Sequence, residues 1–166
     1  MRQTALIALA TVLLACGASS DTHVNKSINV DDGEHKTGSL RSVNGSISVG
    51  NDAVVDGNCT TVNGRISIGE NSTVGDVSCV NGSISLDRNA EASEVSCVNG
   101  SITLDSEVKV KGDVSTVNGS ISCKRGVAIT GDLETVNGTI KIQESRIAGD
   151  IATVNGDIDL LEASFV

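Results

Sequence analysis

A short pattern, Val-Asn-Gly followed by a small or polar residue and Ile, recurs along almost the whole chain. The best-preserved copy is residues 116–122, Thr-Val-Asn-Gly-Ser-Ile-Ser. A degenerate copy around Asn25 comes first, and successive copies are 18 or 19 residues apart. The other seven copies are centred on Asn44, Asn63, Asn81, Asn99, Asn118, Asn137 and Asn155. A constant period of this length is typical of a solenoid, in which each repeat forms one coil.

Each repeat contains three short apolar segments, which we describe by counting from the Asn as position zero. Positions +3 and +5 are apolar in every copy and are separated by one residue, which is mostly Ser or Thr. This alternation predicts a short, half-buried strand. Position −1 is always Val, and position −4, as in Leu133, is another candidate for the interior. A looser apolar cluster, such as Val74 or Ile147, lies midway. Three segments per repeat predict a three-faced coil.

The sequence therefore predicts an all-β fold: a single-domain parallel β-helix of about eight coils over residues 24–166, with right-handed winding preferred. Helices are disfavoured because Asn-Gly and β-branched residues dominate the repeats. An antiparallel meander is the alternative, since Asn-Gly is a strong hairpin signal. The near-constant register and short flanking segments favour stacked coils instead. Eight coils at the spacing of parallel strands would form a rod of ~38 Å.

Stacking of coils explains why Asn is repeated. An Asn at the same corner of every coil can pass side-chain hydrogen bonds along the stack, as in other in-register parallel strands. Glycine after it provides the backbone freedom that a tight corner needs. We therefore interpret Asn44, Asn63, Asn81, Asn99, Asn118, Asn137 and Asn155 as a structural ladder.

The first residues indicate export. A start containing Arg2 precedes an apolar run over residues 5–15, which is shorter than the ~20 residues of a membrane-spanning helix. The run ends in Leu-Leu-Ala-Cys-Gly, which resembles the lipobox of bacterial lipoproteins. This resemblance implies cleavage after residue 15, lipidation of Cys16 and a tether over residues 16–23. Gly17 after the Cys implies the outer membrane. An ordinary signal peptide with an incidental Cys16 is the alternative.

An export signal followed by Val-Asn-Gly-Ser-Ile-Ser repeats resembles the bacterial adhesin-domain family of cell-envelope proteins. More loosely, the repeats are similar to those of the bactofilins, whose β-helices polymerise end to end. The resemblance covers residues 24–166 and implies a structural, adhesin-like or self-assembling role. Neither family brings a catalytic motif to this chain.

Four cysteines follow Cys16. Cys59 and Cys123 replace apolar residues of other repeats, so we expect both to be small buried side chains. Cys79 and Cys97 share position −2 in adjacent repeats, which would place their Cα atoms ~4.8 Å apart and within disulfide range. A Cys79–Cys97 disulfide is therefore possible in an exported protein. Two free thiols at a position that is otherwise mostly Thr are the alternative.

Carboxylates recur at position −5, where stacked coils would align them along one edge. Calcium could relieve their repulsion, because it prefers oxygen ligands. Ordinary turn chemistry is the simpler interpretation, and we expect no metal and no cofactor. The residues of this weak calcium candidate are Asp76, Glu94, Asp113, Asp132 and Asp150.

Composition narrows the function further. The formal charge of −9 and a single aromatic residue disfavour nucleic-acid binding, which needs cations and stacking surfaces. The almost loop-free repeats and the lack of a Gly-x-Ser-x-Gly motif disfavour an enzyme. We therefore expect a non-enzymatic, lipid-anchored envelope protein whose partners are the membrane and either another copy end to end or an envelope protein. A calcium-binding or polysaccharide-acting β-helix module is the alternative.

Overall fold

The computed structural model describes residues 20–161 of the chain. In this range the chain forms 22 strands, numbered β1 to β22 along the sequence, and no helix. All strand pairings are parallel. The strands are short because Val, Ile and Thr favour extended backbone while a turn interrupts them several times per repeat.

The first sheet contains the strands that lead into the Asn corner. Its eight strands lie in chain order, with each repeat beside the next. They are β1 (Ser20–His23), β4 (Ser39–Ser42), β7 (Cys59–Asn63), β9 (Val77–Asn81), β12 (Val95–Asn99), β15 (Val114–Asn118), β18 (Leu133–Asn137) and β21 (Ile151–Asn155).

The second sheet begins just after the corner and also has eight strands in chain order. They are β2 (Ile28–Val30), β5 (Ile47–Val49), β8 (Ile66–Ile68), β10 (Ile84–Leu86), β13 (Ile102–Leu104), β16 (Ile121–Cys123), β19 (Ile140–Gln143) and β22 (Ile158–Leu161).

The third face is built from two-residue strands. Two of them, β3 (His35–Lys36) and β6 (Val54–Val55), form one small sheet. Isolated bridges through Thr73 connect β6 to a four-stranded sheet. That sheet contains β11 (Glu91–Ala92), β14 (Lys109–Val110), β17 (Ala128–Ile129) and β20 (Arg146–Ile147).

The predicted fold is confirmed: the chain is a parallel β-solenoid with three faces. Eight strands in each long sheet make about seven turns, with register steps of 18 or 19 residues. One continuous core of Ile, Val, Leu, Ala and Cys side chains runs through the coils. Positions +3, +5 and −4 point inward, as the sequence predicts; Ile84, Leu86 and Val95 are each 0% exposed.

Two expectations need correction. The Val at position −1, including Val117, lies half-buried on the outer side of the first sheet, while position −2 points inward. Side chains alternate along a strand, so positions −4 and −1 cannot face the same side. The solenoid also begins earlier than residue 24, because Ser20–His23 already pairs with β4. Part of the expected tether is therefore the first strand.

Candidate functional site

The Asn residues form an unbroken chain of side-chain hydrogen bonds along one exposed corner. Each Asn donates from Nδ2 to Oδ1 of the Asn in the preceding coil at 2.8–2.9 Å, starting with Asn44 to Asn25 and ending with Asn155 to Asn137. All bonds run in the same direction. The ladder consequently has a donor to spare at its first Asn and an acceptor to spare at its last within residues 20–161.

A row of inward side chains at position −2 supports this corner from inside. Each donates to a backbone carbonyl just after the Asn of the coil before, as Thr116 Oγ1 does to Gly100 O at 3.0 Å. The row is Ser42, Thr61, Cys79, Cys97, Thr116, Thr135 and Thr153. This role was not expected from the sequence, although the restriction of the row to Ser, Thr and Cys was a signal for it.

A second ladder, also missed, follows the turn after the second sheet. Asn71 Nδ2 donates to Asp52 Oδ1 and Asn89 Nδ2 donates to Asn71 Oδ1, both at 3.0 Å. All three residues have positive φ, between 54° and 57°. Asn and Asp are the side-chain-bearing residues that best tolerate this left-handed conformation. Their recurrence eight residues after the corner Asn was the available signal.

Cys79 and Cys97 are direct register partners of β9 and β12, as their spacing predicts. Both are free thiols, 1% and 3% exposed. A hydrogen bond with Cys97, and then burial, raises the pKa of Cys79, while the same bond lowers the pKa of Cys97. The structure thus brings the pair together without a covalent bond, and the disulfide stays a prediction. Cys59 and Cys123 are buried as expected, and burial raises the pKa of each to about 12.

The acidic row at position −5 bonds mainly to the backbone. Asp113 Oδ1 accepts from the N–H of Asp132, and Asp132 Oδ1 accepts from the N–H of Asp150, both at 2.9 Å. Asp76 Oδ2 accepts from the side-chain amide of Asn58 at 2.9 Å. Across residues 20–161 no group of three or more His, Cys, Asp or Glu side chains could hold a metal ion.

Glu94 lies in this row between Asp76 and Asp113 of the neighbouring coils. Partial burial, followed by the negative charges of Asp76 and Asp113, raises the pKa of its carboxyl group. The row therefore does contain the mutual repulsion that alignment of its carboxylates implies.

The last described coil, which we call the open coil (residues 151–161), exposes what other coils bury. Ile158 is 40% and Leu160 is 52% exposed, whereas their register partners Ile140 and Ile142 are 0% exposed. The opposite end differs, because Ile28 is 5% exposed and an ion pair of Lys36 Nζ with Asp21 Oδ2 (2.8 Å) lies in the first coil. Within residues 20–161, the last coil thus exposes apolar positions that the first coil buries.

The fold and these ladders define the class of the protein: a parallel β-solenoid with polar side-chain ladders. Comparison of the chain with protein-family models, with curated proteins and with solved structures gave no match. Cys16 lies outside the described residues. No helix in residues 20–161 has the length and hydrophobicity needed to cross a membrane.

Proposed function

We propose that the chain is a non-enzymatic bacterial cell-envelope lipoprotein whose solenoid has a structural, adhesin-like role and self-associates through its open coil. The support for the anchor is the sequence: a charged start, a short apolar run and Leu-Leu-Ala-Cys-Gly ending at Gly17. More than one acyl chain on Cys16 would give stable attachment. The expected location of the protein is the outer membrane.

The observation that carries the proposed role is the open coil. Half-exposed Ile158 and Leu160 lie beside strand edges that have no further strand within the described part of the chain. Unpaired strand edges with apolar side chains are templates for the addition of another strand. This end is therefore the docking surface of the proposal.

A second copy, stacked head to tail, is the occupant that the ladder favours. The spare acceptor of Asn155 would meet the spare donor of Asn25 in the next copy, continuing the ladder in register. Lys26 of that copy would lie near the acidic residues Asp157 and Asp159 of the open coil. A tail-to-tail arrangement would place the Asn155 acceptors of the two copies against each other. It would also bring their acidic residues Asp157 and Asp159 together, which is unfavourable.

Self-association is tested by measuring the mass of the protein in solution by light scattering over a concentration series. The sample is the chain without residues 1–15 and with Cys16→Ser. We expect mass to rise with concentration, and the double variant Ile158→Ser/Leu160→Ser to stay monomeric. Val154→Ser is the matched control, because Val154 is 73% exposed in the same coil but lies on a lateral face.

Each alternative has its own outcome in this experiment. A monomer at every concentration would eliminate self-association. Growth that the double variant does not reduce would place the contact elsewhere. Growth that requires added calcium would support the calcium-binding alternative of the acidic row instead.

The anchor has a separate test, which does not depend on self-association. Cells expressing the full chain are fed a clickable palmitate analogue, and membranes are separated from soluble fractions. We expect label and membrane attachment for the natural chain and the loss of both in Cys16→Ser. Membrane attachment without label in that variant would contradict the lipoprotein assignment.

A further inference from the structure

The seven Asn-Gly pairs of the chain are prone to deamidation, and the Asn ladder hinders this reaction more at some pairs than at others. In an Asn-Gly pair, the backbone nitrogen of Gly can attack the side-chain carbonyl carbon of Asn, because Gly has no Cβ to hinder the approach. A carbon–nitrogen bond forms and ammonia leaves, giving a cyclic imide. Water then opens the imide to aspartate or isoaspartate. Attack requires both the Asn side chain and the Gly N–H to leave their hydrogen bonds.

Five interior pairs, those at Asn63, Asn81, Asn99, Asn118 and Asn137, are each held by three such bonds. At Asn99–Gly100, Nδ2 of Asn99 donates to Asn81 at 2.9 Å and Oδ1 accepts from Asn118 at 2.8 Å. The N–H of Gly100 donates to the backbone oxygen of Asn118 at 2.9 Å. Equivalent Gly N–H bonds occur at the corners that follow Asn63, Asn81, Asn118 and Asn137.

The last pair, Asn155–Gly156, keeps only one of the three bonds among residues 20–161. Nδ2 of Asn155 donates to Asn137 at 2.9 Å. Within residues 20–161 no later strand supplies a donor to Oδ1 of Asn155 or an acceptor for the N–H of Gly156. Both residues are exposed, so water reaches them.

We infer that Asn155 is a modification site, the position at which this chain deamidates spontaneously. Water is the only co-reactant, and the ladder protects the Asn residues of the other Asn-Gly pairs. The product places an additional carboxylate beside Asp157 and Asp159, and isoaspartate also lengthens the backbone by a methylene. If the open coil docks a second copy, as proposed above, this change would weaken docking with age. The site itself does not depend on that proposal.

The experiment follows deamidation of the full chain at mildly alkaline pH and low protein concentration by peptide mass spectrometry. Isoaspartate is identified with an isoaspartate-specific methyltransferase. We expect Asn155 to convert about tenfold faster than Asn99 or more, the ratio that two additional hydrogen bonds of ordinary strength imply. In urea, where the ladder is absent, the seven pairs should convert at similar rates, since Val precedes each of them.

Two variants make the test independent of local sequence. Asn155→Gln should remove the fast conversion. Asn118→Ala removes the donor to Oδ1 of Asn99 and should accelerate conversion at Asn99, though not at Asn63, which lies two ladder steps further from the change. Equal rates at all pairs in the folded chain, or the same rate ratio in urea, would overturn the inference.

Discussion

The contribution of a ladder residue depends on its position in the ladder. Asn118 has two ladder bonds, whereas Asn155 has one within the described range. We therefore expect Asn118→Ala to reduce the free energy of unfolding by about 1–2 kcal/mol and Asn155→Ala by about half as much, because an exposed hydrogen bond contributes ~0.5–1.5 kcal/mol. Urea titration of both variants measures the difference. Equal losses would show that the Asn side chains act individually and not as a ladder.

Glu94 makes a prediction about pH. Its folded pKa is raised, by partial burial first and by Asp76 and Asp113 next, so the folded state keeps the proton to higher pH than the unfolded state does. The stability contribution is therefore largest below the unfolded pKa of ~4.3 and falls as pH rises through the raised value. As pH rises through this window, the melting temperature of Glu94→Gln should fall less than that of the unchanged chain. The difference should correspond to less than ~1 kcal/mol of unfolding free energy.

The matched control is Glu134→Gln, which removes one negative charge from an exposed position on β18. If both variants flatten the pH profile equally, net charge and not the environment of Glu94 is responsible.

The side chains at positions −2 and −1 show what could not be predicted from the sequence. The apolar residues at positions +3, +5 and −4 were correctly predicted to face inward. At positions −2 and −1 the same criterion gave the wrong prediction. Thr116 is 2% exposed although it is polar, and Val117 is half-buried on the outer side. The reason is that Thr116 donates to the carbonyl of Gly100, which satisfies its hydroxyl inside the coil. Such a partner is visible only once the coils are stacked.

At the scale of the structural element, a corner that stacks on a preceding coil has no room for a Cβ. A Cβ at position 119 would lie 2.0 Å from the carbonyl oxygen of Gly100 in the neighbouring coil. We expect Gly119→Ala to cost about 3 kcal/mol or more, because a fixed backbone atom must move. Gly33→Ala is the control: nothing lies within 4 Å of its Cβ, and only the φ of +70° opposes it, at ~1 kcal/mol. Thermal melts that rank the two in the reverse order would contradict this account of the corner.

Cys79 and Cys97 lie opposite each other on two neighbouring strands of the first sheet, β9 and β12. The lowered pKa of Cys97 makes its thiol the first to ionise, while burial should keep oxidation slow. We expect incubation with oxidised glutathione to join Cys79 and Cys97, with loss of one hydrogen from each thiol, as measured by non-reducing peptide mapping. Persistent free thiols under conditions that oxidise a reference dithiol would refute the disulfide.

A double variant, Cys79→Thr/Cys97→Thr, provides the control for a purely structural role. Thr occupies the same position in other coils and donates to the equivalent carbonyl, as Thr135 does to Gly119. The double variant should therefore melt within a few degrees of the reduced chain, a shift corresponding to ~1 kcal/mol or less.

At the scale of the whole molecule, the repeat period was sufficient to predict the solenoid, because in-register stacking is the arrangement that lets every copy bury the same positions. The unequal ends were beyond prediction. Val30 and Leu160 both occupy position +5, yet the first is 4% and the second 52% exposed. The repeat pattern is the same at both positions and therefore does not encode this difference.

The unequal ends predict a gradient of local stability along the solenoid. Each coil is stabilised mainly by its neighbours, so a coil with one neighbour should open more readily than a coil with two. In hydrogen exchange on a monomeric sample, amides of β22 should exchange fastest and those of β13, near the middle of the second sheet, slowest. Protection should rise steadily through β19 and β16.

The concentration dependence of this gradient then distinguishes the proposed head-to-tail contact from an open end without a partner. If a second copy covers the open coil, amides of β22 should become protected as concentration rises, while β13 stays unchanged. In the Ile158→Ser/Leu160→Ser variant the protection of β22 should stay low at every concentration. Full protection of β22 in the monomer would mean that the end is already covered by the chain itself, and docking through this surface would have to be abandoned.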